Sequence, residues 1–275
     1  MDDSRSSTSR RTVLLLSCIV LVSASGCLGF SGGEPTESDP RAERTQQQAL
    51  ATMPNVSTYE ATMSMTVETD EGSFYAETVG AANETSRRMS FDMTIELPDG
   101  DTQEATAYIV NQTRYSQRGG RWVADDVSDQ QIWDHDRLQQ QRRLLEDATV
   151  TFEGNETVDG VQTYVVKSYP DDAAVKEVFR NSPNDAASID EVNIKEFSIT
   201  HYIGHDEHHL RKVRLDMAIE QQGQTADLTM VVTFSRHNEP ITIDLPAGVE
   251  TSEAQSSVSM SASPPVQQVS RPTRE

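Results

Sequence analysis

YEATMSMTVE, residues 59–68, alternates apolar and polar side chains at every position. Successive side chains of a β-strand point to opposite faces, so this alternation predicts a strand with one buried face. Met89–Leu97, Leu210–Gln221 and Thr225–Ser235 repeat the pattern, and turn-forming residues separate them from their neighbours. The sequence therefore predicts a meander of antiparallel strands around residues 59–68.

Eight further segments complete the predicted strands. They are bounded by turn signals such as Pro98-Asp-Gly-Asp101 and Gly119-Gly120. The segments are Ser73–Ala82, Thr102–Asn111, Arg114–Gln117, Arg121–Ala124, Thr149–Glu153, Val161–Ser168, Val192–Ile203 and Ile241–Leu245. A turn is predicted at Asn155–Gly160.

Three stretches break the strand pattern and predict helices. Arg41–Met53 is rich in Ala, Gln, Glu and Leu, and Pro54 follows it. In Ser128–Ala148 the apolar residues fall near helical spacing, which predicts one long helix with a narrow apolar stripe. Pro170–Arg180 begins at a helix-compatible proline and predicts a short helix. The predicted fold class is therefore α+β.

The N-terminus has the features of an export signal. Arg10 and Arg11 precede the apolar run Thr12–Val22, and small residues lead to Cys27. The run is short for a bilayer span, which takes about 20 apolar residues. Ala24-Ser-Gly-Cys27 resembles the lipobox of bacterial and archaeal lipoproteins, whose cysteine is lipidated, and the two arginines resemble a twin-arginine signal. A retained transmembrane anchor is the alternative, and both interpretations place the bulk of the chain outside the cytoplasmic membrane.

These signals divide the chain into four predicted parts. Residues 1–26 are a signal peptide, and residues 27–40 are a flexible tether rich in Gly, Ser, Glu and Pro. Residues 41–246 form one domain, and residues 247–275 form a Ser-, Gln- and Pro-rich disordered tail. The cysteines are Cys18 and Cys27, so the predicted domain contains no disulfide and depends on its core for stability.

The chain is strongly acidic. It has 44 Asp and Glu residues against 23 Lys and Arg, a formal net charge of −21, and its lysines are Lys167, Lys176, Lys195 and Lys212. Such a composition resembles that of extracytoplasmic proteins of extreme halophiles, in which salt screens the self-repulsion. An ordinary acidic secreted protein is the alternative. A nucleic-acid partner is not expected, because phosphate binding needs a concentrated basic surface.

The sequence has no catalytic signature. It lacks a nucleophile-elbow Gly-x-Ser-x-Gly, a zincin helix and a phosphate-binding Gly-rich loop after a strand. The densest set of potential metal ligands is His201, His205, Asp206, Glu207, His208 and His209. Gly204–His209 has the composition of an exposed turn, and adjacent strand residues point to opposite faces. We therefore predict no metal site, no cofactor and no enzymatic activity.

Two other surface features have alternative interpretations. Arg211, Lys212 and Arg214 form a small basic cluster that suits either lipid headgroups or a solvated face with acidic neighbours. Four Asn-x-Ser/Thr sequons lie at predicted turns or strand edges, where a glycan can be tolerated. The candidate glycosylation sites are Asn55, Asn83, Asn111 and Asn155.

The order of the predicted elements resembles the LolA and LppX/LprG type of lipoprotein, and most closely uncharacterised haloarchaeal lipoproteins of that shape. The residues that carry this resemblance are Gly160–Val166, the hairpin segment Leu210–Val213, Thr233–Ser235 and Asn238–Ile241. The resemblance implies a strongly curved antiparallel sheet, an incomplete barrel, with helices packed on its concave side. It also implies a groove between sheet and helices that takes up acyl chains or other hydrophobic molecules.

Methionines suit such a groove because they are flexible and polarizable. Six of them fall on the apolar positions of four predicted strands, and Phe91 and Trp133 are aromatic candidates. The six are Met63, Met65, Met89, Met93, Met217 and Met230. The alternative is that they fill an ordinary core.

Together these features predict a non-enzymatic lipoprotein, anchored to the outer face of the cytoplasmic membrane through Cys27, that binds or carries a hydrophobic ligand or lipid. The alternative is an envelope interaction or structural lipoprotein with a solid core. The sequence names neither the ligand nor a protein partner.

Overall fold

The computed structural model describes residues 37–70, 72–130, 132–133, 137–170, 193–221, 224–247 and 249. The helices in this part are α1 (Pro40–Thr52) and α2 (Arg137–Glu146), with 3₁₀ turns at Met53–Asn55 and Ser128–Gln130. The strands are β1 (Thr58–Thr69), β2 (Gly72–Asn83), β3 (Arg88–Glu96), β4 (Thr102–Val110), β5 (Thr113–Arg118), β6 (Arg121–Asp126), β7 (Thr149–Val158), β8 (Val161–Tyr169), β9 (Asn193–Gly204), β10 (Leu210–Gln221) and β11 (Gln224–Ser235).

The strands form one open antiparallel sheet in the order β6-β5-β4-β3-β2-β1-β11-β10-β9-β8-β7. Strands that follow one another along the chain pair in the sheet, except β6 and β7, which form its two opposite edges. The sheet is continuous because the first strand pairs with the last, from Glu60 opposite Ser235 to Thr69 opposite Ala226. The prediction of a large antiparallel sheet with few helices is confirmed. The stretch 59–68 lies in its middle, between β2 and β11.

α1 contacts β7 and β8, and the buried leucines of α2 belong to the same core cluster as residues of these strands. We call the face of the sheet that carries this cluster the inner face. α1 begins at Pro40, after Asp39 has capped it by accepting hydrogen bonds from the N–H groups of Arg41 (2.7 Å) and Ala42 (3.1 Å). Its buried side chains, Ala42, Thr45, Gln46 and Ala49, recur at helical spacing. They pack toward β7 and β8.

A buried amide joins the two helices. The Gln46 side-chain Nε2 donates to the carbonyl oxygens of Leu145 (2.6 Å) and Ala148 (3.0 Å), at the end of α2. Carbonyls in the last turn of a helix and beyond lack the usual donor from a following turn; here the Leu145 carbonyl also accepts a long hydrogen bond from the Ala148 N–H, at 3.4 Å. The Gln46 amide therefore adds a shorter hydrogen bond to each of two carbonyls at this buried helix end.

The prediction of one long helix at Ser128–Ala148 is wrong. The structure has a 3₁₀ turn at Ser128–Gln130 and a separate helix, α2, that begins at Arg137. Trp133 lies between them, and its indole Nε1 donates to the carbonyl oxygen of Asn111 at 2.5 Å. This tertiary contact ties the segment to the end of the sheet, and local helical spacing does not reveal it.

Two smaller predictions also need correction. The turn predicted at Asn155–Gly160 is shorter, because β7 continues to Val158 and only Asp159 and Gly160, both with positive φ, make the hairpin turn. Ile241–Leu245 is not a strand. The carbonyls of Ile241 and Ile243 instead accept side-chain hydrogen bonds from Asn83 Nδ2 and Arg88, each at 2.8 Å.

Some predictions fall outside the described residues. They include the signal peptide, most of the tether, Cys27, the helix predicted after Pro170 and most of the C-terminal tail. Among the helices of the described part, none combines the length and apolarity needed to cross a membrane.

Candidate ligand-binding face

The register of the strands places the predicted methionines on the inner face. Met65 lies opposite Met230 of β11, and across β2 the same face continues through Ala76 to Ile95 of β3. Met63 is related in the same way, through Thr78, to Met93. Five of these methionines and the neighbouring Phe91 are half-buried, and we call these six residues the methionine face. They are Met63, Met65, Met89, Phe91, Met93 and Met230.

Short side chains separate the long ones of the methionine face. β2 lies between β1 and β3, which carry most of the methionine face, and its inner-face residues there are small. They are Ala76, Thr78, Gly80 and Ala82. At Gly80 a Cβ would lie 2.8 Å from the carbonyl oxygen of Ser90 on β3. Gly80 is therefore required by the close approach of β3, and the row of small residues leaves a low strip between methionines.

Met217 differs from the other five methionines. Its side chain is 4% exposed and belongs to the main core, with Leu215 and Val232. Met63, Met89 and Met230 pack against the edge of that core, whereas Met65 packs on a second cluster formed by Val67, Phe74 and Ala76. Of the six predicted methionines, Met217 thus has the burial of a core residue and the other five are partly accessible.

Trp133 lies in a different place from the methionines. It lines a cavity of about 260 Å³ at the end of the sheet where the β2–β3 and β4–β5 turns meet. Ile132 and Val127 form apolar parts of the wall, and Arg87 and Asn111 are polar parts. The sequence alone does not bring Trp133 to Asn111, which is 22 residues away.

The histidines are distributed over separate positions. His201 is fully buried on the inner face, where burial lowers its pKa to about 3 and keeps it neutral; its Nδ1 lies 3.2 Å from the hydroxyl of Ser168. His205 stacks on Tyr164 at 4.0 Å between ring centroids. His208 has a positive φ of 56° in the β9–β10 turn. Within the described residues, no three His, Cys, Asp or Glu side chains converge as metal ligands would.

Sequence reasoning missed one histidine contact. His237 stacks on His209 with ring centroids 4.7 Å apart, and its Nε2 lies 3.0 Å from the carbonyl oxygen of Leu210. Burial, followed by the charges of His209 and Arg211, lowers the pKa of His237 to about 4. No local pattern links His237 to a turn so far back in the chain.

The three members of the predicted basic cluster each have an acidic partner. Arg211 pairs with Glu207 and Lys212 with Glu156, each at 3.5 Å, while Arg214 binds Asp216 at 2.6 Å. The Lys212 ammonium also lies 4.3 Å from the centre of the Tyr202 ring. The arrangement is that of a charge-balanced surface.

The sequons differ in accessibility. Asn55, Asn111 and Asn155 are exposed, whereas Asn83 is half-buried. The Asn83 Nδ2 donates to the Ile241 carbonyl, so a glycan there would remove that bond. Asn111 lines the cavity next to Trp133, so we expect glycans at Asn55 and Asn155 in preference to Asn83 and Asn111.

The chain belongs to DUF6612, a family of unknown function, whose model matches residues 43–254. No curated protein matches the sequence.

Among solved structures the chain is similar to lipoprotein LppX of Mycobacterium tuberculosis, with 17% identity, 75% of this chain and 100% of that chain covered, and a TM-score of 0.49. It is similar to LprF of Mycobacterium bovis, with 16% identity, coverage of 77% and 100%, and a TM-score of 0.48. It is also similar to a putative outer membrane lipoprotein-sorting protein domain of Vibrio parahaemolyticus, with 11% identity, coverage of 79% and 98%, and a TM-score of 0.27.

Proposed function

We propose that this protein is a non-enzymatic, extracytoplasmic lipoprotein that holds a hydrophobic ligand or lipid against the methionine face. The inner face is, in this proposal, the concave side of a curved sheet, and the ligand lies in the groove between sheet and helices. The acidic, lysine-poor composition supports a halophilic setting.

The observation that carries the proposal is the partial exposure of one apolar face. Five methionines and Phe91 lie on the inner face of β1, β3 and β11, and all six are half-buried. Methionine fits apolar partners of varied shape because its side chain is flexible and polarizable. The small residues of β2 supply room between the methionine rows for an acyl chain.

The start of the domain supports anchoring near the N-terminus. Asp39 N donates to the Val150 carbonyl at 2.8 Å, and Val150 N donates to the Ser38 hydroxyl at 3.1 Å. The ten residues between Cys27 and Ser38 can span at most about 35 Å when extended. A lipid on Cys27 would therefore hold this end of the sheet close to the bilayer.

Anchoring has its own test. Cys27→Ala is expected to release the protein from the membrane fraction into the medium, because one thiol carries the lipid. Cys18→Ala is the matched control and should leave the protein in the membrane fraction. Equal membrane retention of both variants would contradict lipidation at Cys27 and favour a retained transmembrane anchor.

Ligand binding is tested with a neutral apolar dye, Nile red, and with mass spectrometry of lipids that remain on the purified protein. Replacing Met63 and Met93 together by Gln keeps length but adds polarity, and should weaken dye binding about tenfold. Val79→Gln is the control, because Val79 is 49% exposed and lies on the outer face. Unchanged binding in the double variant, or an equal loss in the control, would refute the proposal.

The second candidate is an envelope interaction or structural lipoprotein with a solid core. The observation in its favour is that Met217, one of the predicted groove residues, is a buried member of the main hydrophobic core. A protein that retains no lipid and does not bind Nile red, yet co-purifies with a constant partner, would support this candidate instead.

A further inference from the structure

A second possible site lies at the end of the sheet, away from the groove. The cavity of about 260 Å³ introduced above is formed where three connections meet: the β2–β3 turn, the β4–β5 turn and the segment after β6. We call it the Arg87 cavity. Ligand pockets generally span about 300 to 1,000 Å³, so this one suits a compact group.

Hydrogen bonds hold the three connections together. Asn111 N donates to the Arg87 carbonyl at 2.9 Å, and Val127 N donates to the Gln112 carbonyl at 2.8 Å. The Trp133 indole donates to the Asn111 carbonyl at 2.5 Å. Because the indole N–H is already used, Trp133 offers the cavity apolar ring surface, as do Ile132 and the buried Val127.

The charge of the cavity comes from Arg87. Arg87 is exposed at the β2–β3 turn and is the one charged side chain among the described residues that line the cavity. Its neighbour Arg88 is turned to the Ile243 carbonyl, to which it donates at 2.8 Å. The nearby Asp126 does not line the cavity; its carboxylate accepts a hydrogen bond from Ser128 N at 2.8 Å.

We propose that the Arg87 cavity binds a small organic acid with an apolar body, such as a carboxylate or phosphate carried on an acyl chain or aryl ring. Arg87 would bind the acid group through its forked N–H donors, and Trp133 and Ile132 would cover the apolar part. This site is independent of the methionine face and stands even if the groove is empty.

Tryptophan fluorescence provides the test, because the chain has two tryptophans, Trp122 and Trp133. In a Trp122→Phe background, octanoate should change the emission of Trp133 in a saturable manner. Octanol, which has the same chain without the charge, should bind at least about tenfold more weakly, since hydrogen bonds to charged groups are the stronger kind. Equal affinities for octanoate and octanol would overturn the proposal.

A matched pair of variants locates the charge. Arg87 has a φ of 48°, and Asn tolerates this left-handed backbone, so Arg87→Asn should keep the fold while raising the octanoate Kd about tenfold or more. Arg121→Gln removes an exposed arginine of β6 and should leave the Kd unchanged. An unchanged Kd in Arg87→Asn, with circular dichroism like that of the parent, would refute the site.

The acid group has two possible sources, a free acid or a lipid headgroup, and vesicles separate them. Phosphatidylglycerol vesicles that shift the Trp133 emission only when Arg87 is present would indicate a headgroup. A response to octanoate but not to vesicles would indicate a free acid. A vesicle response that is the same in Arg87→Asn would contradict a role for the cavity. Nile red binding distinguishes this outcome from failure of the groove, because the dye is uncharged.

Discussion

Two halves of the inner face follow the same alternation and differ in burial. The aliphatic half, on β7 to β10, carries residues such as Val150, Val166, Ile199 and Val213, each at most 1% exposed. The methionine face, on β1, β3 and β11, is half-buried throughout. β-branched side chains have few rotamers and suit a fixed core, whereas methionine adapts its shape. The comparison indicates that one half of the sheet is a closed core, whereas the other leaves apolar surface partly exposed, as the proposed ligand site requires.

The largest expected effect lies in the packing of the aliphatic half. Leu145 of α2 is fully buried, so Leu145→Ala should lower the free energy of unfolding by about 2–5 kcal/mol. Met93→Ala, on the methionine face, should cost less than half of that, because Met93 is partly exposed. Chemical denaturation of both variants measures the difference. Equal losses would mean that the methionine face is as much a core as the aliphatic half.

Gly80 of β2 lies beside the methionine face, and we expect it to tolerate no side chain. A Cβ there would meet the Ser90 carbonyl at 2.8 Å and Phe91 Cβ at 3.3 Å. Gly80→Ala should therefore cost up to about 3 kcal/mol, measured by thermal or chemical unfolding. Ser64→Ala, at a half-exposed position of β1, serves as the control with little change. A neutral Gly80→Ala would show that β3 can move away from β2.

The aliphatic half should also make stability depend on pH through His201. Burial lowers the folded-state pKa of His201 from 6.5 to about 3, so below pH 6.5 the unfolded chain binds a proton that the folded protein excludes. Stability is then lost as pH falls from 6.5 toward 3, by about 2 kcal/mol between pH 6.5 and 5. His201→Gln should reduce this loss relative to the parent, as measured by denaturation at both pH values.

His237 is a second, smaller contributor to that pH dependence. Its pKa is lowered to about 4, so its removal should reduce the loss in the same direction. The carboxylates titrate equally in all variants and cancel in the difference. The same slope in the parent and in His201→Gln would indicate that water reaches His201 in the folded protein.

The smallest perturbation is oxidation of single methionines. Mild peroxide should convert Met63, Met65, Met89, Met93 and Met230 to sulfoxides faster than Met217, because susceptibility follows accessibility. Peptide mass spectrometry after a short exposure measures each rate. A bound ligand should protect the five but leave the Met217 rate unchanged. Equal rates at all six sites would remove the distinction between the two halves.

Sequence reasoning succeeded where structure is local and periodic. The alternation at Tyr59–Glu68 predicts both the strand and the face of Met63 and Met65, since side-chain direction has a period of two. It could not predict which inner-face residues the helices bury. It also failed where distant residues decide the backbone, as when Trp133 binds the Asn111 carbonyl and Asn83 binds the Ile241 carbonyl.

The pairing of β1 with β11 has a consequence for biosynthesis. β1 is synthesised early and can pair with β2 at once, but its other partner, β11, is complete only when residue 235 has been made. Until then the other side of β1 remains an unpaired edge, and such edges template aggregation between nascent chains. Chains that end before β11 should therefore be rapidly degraded or insoluble, because the middle of the sheet forms only after the last strand has been synthesised.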